Sequence, residues 1–227
     1  MQWAQEELKT LDLGDARLDR RAVLLAEQLS QRPGASIPQA CGDWSQTQAA
    51  YRFFDNEDTD EGQVLQAHAD ASMQRMAQHP VVLCLQDTTE LDFRGQASEG
   101  LGPLSYEAQR GLYLHPTYAV TPEREPLGLV NSWNWARQFK PEGGGERGGV
   151  LESERWLEGY DRLVDLAEQL PSTKLVYVAD RESDIMALFE RAQKAEHSVD
   201  YLVRAQHNRV LPGKQADKLW AQAMAAP

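Results

Sequence analysis

The sequence is short of cysteine, of long apolar runs and of positive charge, and each shortage closes off a class of protein. Two cysteines, Cys41 and Cys84, stand far apart in 227 residues and in no metal-like spacing. That pattern fits two buried thiols in a reducing cytoplasm rather than a disulfide framework. The longest apolar runs, such as Val81 to Leu85, fall far short of the ~20 residues that cross a bilayer, so no membrane partner is expected. The start, Met1-Gln2-Trp3-Ala4-Gln5-Glu6-Glu7, has neither the basic nor the apolar region of a signal peptide. Lys and Arg number 23 against 35 Asp and Glu, a net charge of −12 that argues against indiscriminate coating of nucleic acid. It leaves room for a local basic face, or for a carboxylate-rich site whose cations bring the positive charge. What the chain does have is core material: 41% hydrophobic residues and six Trp.

Residues 1 to about 75 carry a helical pattern. Leu18, Val23, Leu24, Leu25 and Leu29 recur at helix spacing among arginines and acids. Asp15 is the expected N-cap and Pro33-Gly34 the stop. Asp43-Trp44-Ser45 offers a second cap before a short helix over 47–54, and a third helix is expected over 61–78, ahead of Pro80. The pattern then changes. Val81-Val82-Leu83-Cys84-Leu85 reads as a buried strand, followed by a loop bearing Gly95, Gly100, Gly102 and Pro103. Strands are expected over 113–120 and 127–135, with the glycine-rich stretch 140–149 as a surface loop. Glu152 to Leu170 is a strongly amphipathic helix. A strand over 174–179, a helix over 184–195 and a strand over 201–205 complete a β-β-β-α-β-α-β order. Three antiparallel strands followed by αβαβ predict an α/β mixed sheet with flanking helices, the order of the ribonuclease H-like fold.

Asp87 follows the first strand of that sheet and Asp180 the fourth. If those strands are parallel neighbours, two carboxylates come side by side, where they repel unless a divalent cation sits between them. Oxygen ligands suit Mg²⁺ or Mn²⁺, and two such ions about 3.5–4 Å apart serve phosphodiester chemistry. Either aspartate alone reads equally as a strand end or a helix cap. Asp184 is the better cap for the helix starting at Ile185, which leaves Asp180 for a site. Arg94, Arg181, Arg204, His207 and Arg209 are cationic candidates near that sheet edge, suited to phosphate or to surface ion pairs. His115, within the second strand, reads as a core histidine. In the helical part, Arg17, Arg20, Arg21 and Arg52 could form a basic face or an ordinary solvated one. Residues 1–55 carry six basic and eight acidic side chains, so most of the acidity lies further along.

Three stretches resemble the bacterial cut-and-paste transposases of the insertion-sequence-four group, which includes the Tn-five transposase. Trp3-Ala4, Leu13-Gly14-Asp15-Ala16-Arg17-Leu18 and Ala49-Ala50-Tyr51-Arg52-Phe53-Phe54 are similar to the small N-terminal DNA-binding domain; Asp87-Thr88-Thr89 resembles the first catalytic motif; Asp180-Arg181-Glu182-Ser183-Asp184-Ile185 resembles the second. The resemblance implies a helical DNA-binding domain over 1–75 and a ribonuclease H-like catalytic domain over 76–227. It implies two Mg²⁺ or Mn²⁺ ions in an Asp-Asp-Glu triad, hydrolysis at transposon ends and strand transfer by the freed 3′-hydroxyl. Double-stranded DNA with terminal inverted repeats is the implied partner, held by a dimer. Carried over by position, Asp87 and Asp180 are the first two triad members and metal ligands, and Arg94 and Arg204 contact DNA beside Arg17, Arg20, Arg21 and Arg52.

The family's third acid lies in a Tyr-x-x-Arg-x-x-x-Glu pattern on a later helix, and this sequence has no such pattern. Glu190 and Glu196 stand in the wrong context. A C-terminally truncated, inactive transposase is therefore expected, alone or in a heterodimer with full-length subunits. The alternatives are a non-catalytic DNA-binding fragment that inhibits the full-length protein, and an unrelated metal-dependent nuclease taking its last ligand from Glu152, Glu154 or Asp184.

Overall fold

The computed structural model describes residues 2–94, 98–141, 143–145, 147–195, 198–212 and 218–226. Helices come first: α1 Gln2–Glu7, α2 Ala16–Gln31, α3 Ile37–Cys41, α4 Trp44–Phe54 and α5 Glu61–Met76. Three of them start on aspartate. Asp15, Asp43 and Asp60 each accept a backbone N–H of the first turn, from Arg17, Gln46 and Gln63. Buried side chains of α2, α3 and α4 gather with Leu8, Leu11 and Leu13, which follow α1, as one apolar cluster around Leu25, Ala50 and Phe53. α5 serves two cores. Its Ala67 closes that cluster, and its Met73 and Met76 join the core of the sheet.

The strands are β1 Val81–Gln86, β2 Thr89–Asp92, β3 Gly102–Pro103, β4 Arg110–Val120, β5 Pro126–Trp135, β6 Lys174–Ala179 and β7 Asp200–Val203. Across the sheet the order is β5, β4, β1, β6, β7. β1, β6 and β7 run parallel, while β4 is antiparallel to both β1 and β5. α6 Glu152–Gln169 and α7 Met186–Lys194 supply Trp156, Tyr160, Leu163 and Leu188 to the core against Val82, Cys84, Leu175 and Tyr177. α8, Leu219–Ala225, ends the described chain. No helix among the described residues is long and apolar enough to cross a membrane.

The polar segment Thr-Glu-Leu-Asp of β2 gives no apolar signal, yet it pairs with β4. It does so in register with β1: Gln86 pairs with Thr117 and Thr89 with Leu114. β1 and β2 therefore lie end to end along one edge of β4, with Asp87 and Thr88 at the joint. Opposite the joint stand Pro116 and His115, and proline has no N–H to give to a ladder. The last strand is shorter than the 201–205 expected and begins one residue earlier.

Besides the packing of Met73 and Met76, Arg75 and His68 of α5 tie the helical part to β5, and both are held by Glu7. Glu7 of α1 accepts from Arg75 Nη1 and Nη2 of α5, both at 2.8 Å, while Arg75 Nε donates to the Leu127 carbonyl of β5 at 2.6 Å. His68 Nδ1 lies 2.7 Å from the same carboxylate, and its Nε2 accepts the Leu129 N–H at 2.9 Å. Burial alone would raise the Glu7 carboxyl, but Arg75 and His68 hold it below its ordinary value. Replacing Arg75 by Met leaves the Leu127 carbonyl without this donor and the part-buried Glu7 carboxylate with His68 alone. The expected loss is about 1–3 kcal/mol in a urea unfolding midpoint at neutral pH, and an unchanged midpoint would show that the two parts do not depend on this tie.

Candidate functional site

The site grows from the register of three parallel strands. Gln86 of β1 pairs with Ala179 of β6, so the next residues, Asp87 and Asp180, leave the sheet at the same end and side by side. Ala179 also pairs with Val203 of β7, and the Arg204 N–H donates to the Ala179 carbonyl at 3.2 Å. Asp87, Asp180 and Arg204 are thus brought together at neighbouring strand ends. Each carboxylate has one oxygen in use: Asp87 Oδ1 accepts its neighbour Thr88 N–H at 2.8 Å, and Asp180 Oδ1 accepts Glu182 N–H at 2.7 Å. The second oxygen of each has no hydrogen bond among the described residues. Glu182 registers the local charge. Its carboxyl is raised first by partial burial and then by Asp180, Asp87 and Glu152. In donor type, two hard carboxylates with free oxygens fit Mg²⁺ or Mn²⁺. Among the described residues, however, no three His, Cys, Asp or Glu side chains converge to hold a metal ion.

Two expectations need correction. Asp180, not Asp184, does the capping: it opens the 3₁₀ turn Arg181–Ser183, and α7 begins at Met186 without a side-chain cap. Asp184 is buried and fully engaged. Its Oδ2 accepts the Gln206 and His207 N–H groups at 2.7 and 2.8 Å, and Arg209 closes on Oδ1. Burial opposes its ionisation, but these donors hold its carboxyl below the ordinary value. Asp184 therefore pins the segment after Arg204 and is not free as a third ligand. Glu152 is likewise taken, by Arg137. Glu190 is exposed on α7, and Glu196 lies outside the described residues.

The arginines divide. Arg94 is exposed beyond the far end of β2, with φ of 50° and its N–H on Asp92 Oδ1, so it stands apart from the strand ends. Arg17 is paired with Asp15, which pulls that carboxyl down to about 2. Arg21 is half-buried and donates to Gln46 of α4 at 2.6 Å, joining two helices. Arg20 and Arg52 are exposed and make no hydrogen bond or salt bridge among the described residues, though the charge of Arg20 also acts on Asp15. Arg52 has aromatic company that sequence reading passed over. Trp44 and Tyr51, seven residues apart on α4, share one helix face and are 73% and 46% exposed. The signal was there: two large aromatics at helical spacing, outside the apolar face that Thr47, Ala50 and Phe53 bury.

His115 is fully buried and holds both chain neighbours of Asp87. Its Nδ1 lies 2.8 Å from Thr88 Oγ1 and its Nε2 3.2 Å from Gln86 Oε1, with the Trp156 ring edge-on at 4.6 Å. Gln86 is pressed from the other side by α6. A Cβ on Gly159 would meet Gln86 Oε1 at 2.1 Å. Burial, aided by Arg155, lowers the His115 pKa from 6.5 to about 4. Its folded value is depressed, so the neutral ring's contribution is complete above pH 6.5 and is lost as the pH falls towards 4. Unfolding midpoints between those limits should therefore decline as the pH is lowered, before most carboxylates titrate. His115→Gln should flatten that decline while costing about 1–2 kcal/mol at pH 7; a decline as steep in the variant would mean that another group sets it.

Two comparisons bear on these features. The electron-microscopy structure of a piggyBac transposase synaptic complex with hairpin DNA is similar over 75% of this chain at 12% identity and a TM-score of 0.36. The match covers 32% of that chain, about a third of its length, and a likeness of this size supports no inference about fold. Residues 1–59, which hold α1 to α4, match the transposase DNA-binding family.

Proposed function

We propose that this chain works in a DNA transposase of the cut-and-paste type, with α1 to α4 gripping the terminal inverted repeat and the strand ends of Asp87 and Asp180 facing the scissile phosphodiester. The observation that carries this reading is a combination. The segment that matches transposase DNA-binding domains is fastened, through Arg75 and His68, to a sheet whose neighbouring strand ends bear two carboxylates with free oxygens. The strand order and directions support a ribonuclease H-like sheet, and the insertion-sequence-four motifs at Asp87 and Asp180 support that group. Asp87 and Asp180 would hold Mg²⁺ or Mn²⁺. Bound there, the metal supplies charge stabilisation for the attacking and leaving oxygens. The chain's own part is positional. His115 holds the side chains of Gln86 and Thr88 on both sides of Asp87, Asp180 is set by its 3₁₀ turn, and Arg204 offers a cation to a phosphate beside them. On the helices, Arg20 and Arg52 meet phosphates, with Trp44 and Tyr51 beside them on the exposed face of α4.

One observation favours a second reading. No three ligating side chains converge among the described residues, which suits a chain that binds transposon ends without cutting them. Binding and Mn²⁺-dependent nicking should be measured on duplex DNA carrying the repeats that flank the gene. Arg20→Ala and Arg52→Ala should each weaken binding and lower the slope of log K against log salt by about 0.9. Asp87→Asn and Asp180→Asn should leave metal-free binding in place and abolish nicking. Nicking that survives both aspartate changes rules out the proposed site. Binding without any nicking by the unaltered chain selects the second reading.

A further inference from the structure

A cleft of about 590 Å³ opens between the segment after β5 and the start of α6. Among the described residues four of its lining side chains are cations, Arg137, Lys140, Arg147 and Arg155, and one is an acid, Glu152; Glu142 and Glu146 of the same segment lie outside the described residues. Two of the cations form fixed walls. Arg137 is held by Glu152 and lies 4.1 Å over the Tyr113 ring, and its backbone is packed so close to Gly102 that a Cβ there would fall 2.2 Å from the Arg137 carbonyl oxygen. Arg155 bonds Glu158 at 2.7 Å and lies 5.5 Å over the Trp135 ring. The other two share a single counter-charge: Lys140 at 2.9 Å and Arg147 at 2.7 Å both contact Glu107, whose side chain is 59% exposed. Among the described residues, Arg147 Nε is moreover buried with no hydrogen-bond partner, a donor that lacks an acceptor.

We propose that this cleft binds the sugar-phosphate backbone of a single DNA strand running past Asp87 and Asp180. The inference rests on the transposase reading and adds a second DNA contact to it. Several features choose this ligand. The volume lies within the roughly 300–1,000 Å³ range of small-ligand sites, so it admits a nucleotide or two and excludes a duplex. The aromatic at the cleft is not free to stack a base, because Trp135 already has Tyr113 stacked at 5.4 Å and Arg155 over its ring. Guanidinium groups suit phosphate oxygens, and an incoming oxygen would satisfy Arg147 Nε. The location agrees: Glu152, at the cleft, is close enough to the strand ends to raise the Glu182 carboxyl together with Asp180 and Asp87.

The test is fluorescence anisotropy of the whole 227-residue chain with a labelled single-stranded oligonucleotide and with a blunt duplex, across a salt series. Lys140→Gln combined with Arg147→Gln should weaken single-strand binding at least fivefold and lower the salt slope by about 1.4, the sum for two single-strand phosphates. Glu107→Gln, which frees both cations, should tighten single-strand binding and steepen the slope. That gain guards against a trivial loss of fold in the double variant. Weaker binding by Glu107→Gln, or an unaltered slope in the double variant, would overturn the proposal. Duplex binding without single-strand binding overturns it alone and leaves the transposase reading standing; binding of neither DNA by the unaltered chain removes both.

Discussion

Six paired positions between β1 and β6, from Val81 opposite Lys174 to Gln86 opposite Ala179, are the constraint on which the rest depends. Parallel pairing makes two residues 93 positions apart in sequence, Asp87 and Asp180, leave the sheet together. An antiparallel pair would send them to opposite ends. A one-residue slip would turn every side chain of one strand to the other face. Two forces keep the register. The buried residues Val82, Cys84, Leu175 and Tyr177 bring apolar positions of both strands onto the face that α6 and α7 cover. At the last pair, His115 grips Gln86 and Thr88, so the chain cannot slide past Asp87 without breaking one buried and one part-buried hydrogen bond.

Much of this was legible in the sequence because apolar runs and turn residues carry strong local signals. The helices α2, α4, α5 and α6 and the strands β1, β4, β5 and β6 all stand close to where periodicity puts them. The helix caps at Asp15 and Asp43 follow from side-chain chemistry alone. What escaped was structure made by pairing rather than by composition. β2 is Thr-Glu-Leu-Asp, exposed at every position, and it is a strand only because β4 extends past the end of β1. The roles of Asp180 and Asp184 were exchanged for a similar reason. Both are short acids at a strand-to-helix turn, and only the return of the chain at Gln206, His207 and Arg209 decides which one is buried. The cationic cleft was invisible as well. Arg137 and Arg155 belong to separate elements, and the glycine-rich stretch between them reads as nothing more than a loop.

Charge was the least informative property when summed and the most informative when placed. The total of −12 speaks against nucleic acid. Yet carboxylates lie together at the strand ends, where Glu182 feels Asp180, Asp87 and Glu152, while Arg137, Lys140, Arg147 and Arg155 line the neighbouring cleft. A distribution of this kind presents alternating fields along a surface. A net count erases such alternation.

The guanidinium of Arg75 has one more consequence. It joins α1 to β5 directly, with no flexible tether between the helical unit and the sheet. Two binding units on a loose tether meet their targets at an effective concentration set by chain statistics, over a spread of separations. Here the separation is a single number, fixed by hydrogen-bond geometry. On the proposed reading the protein is a caliper: the stretch of DNA between the gripped sequence and the strand ends has one permitted length.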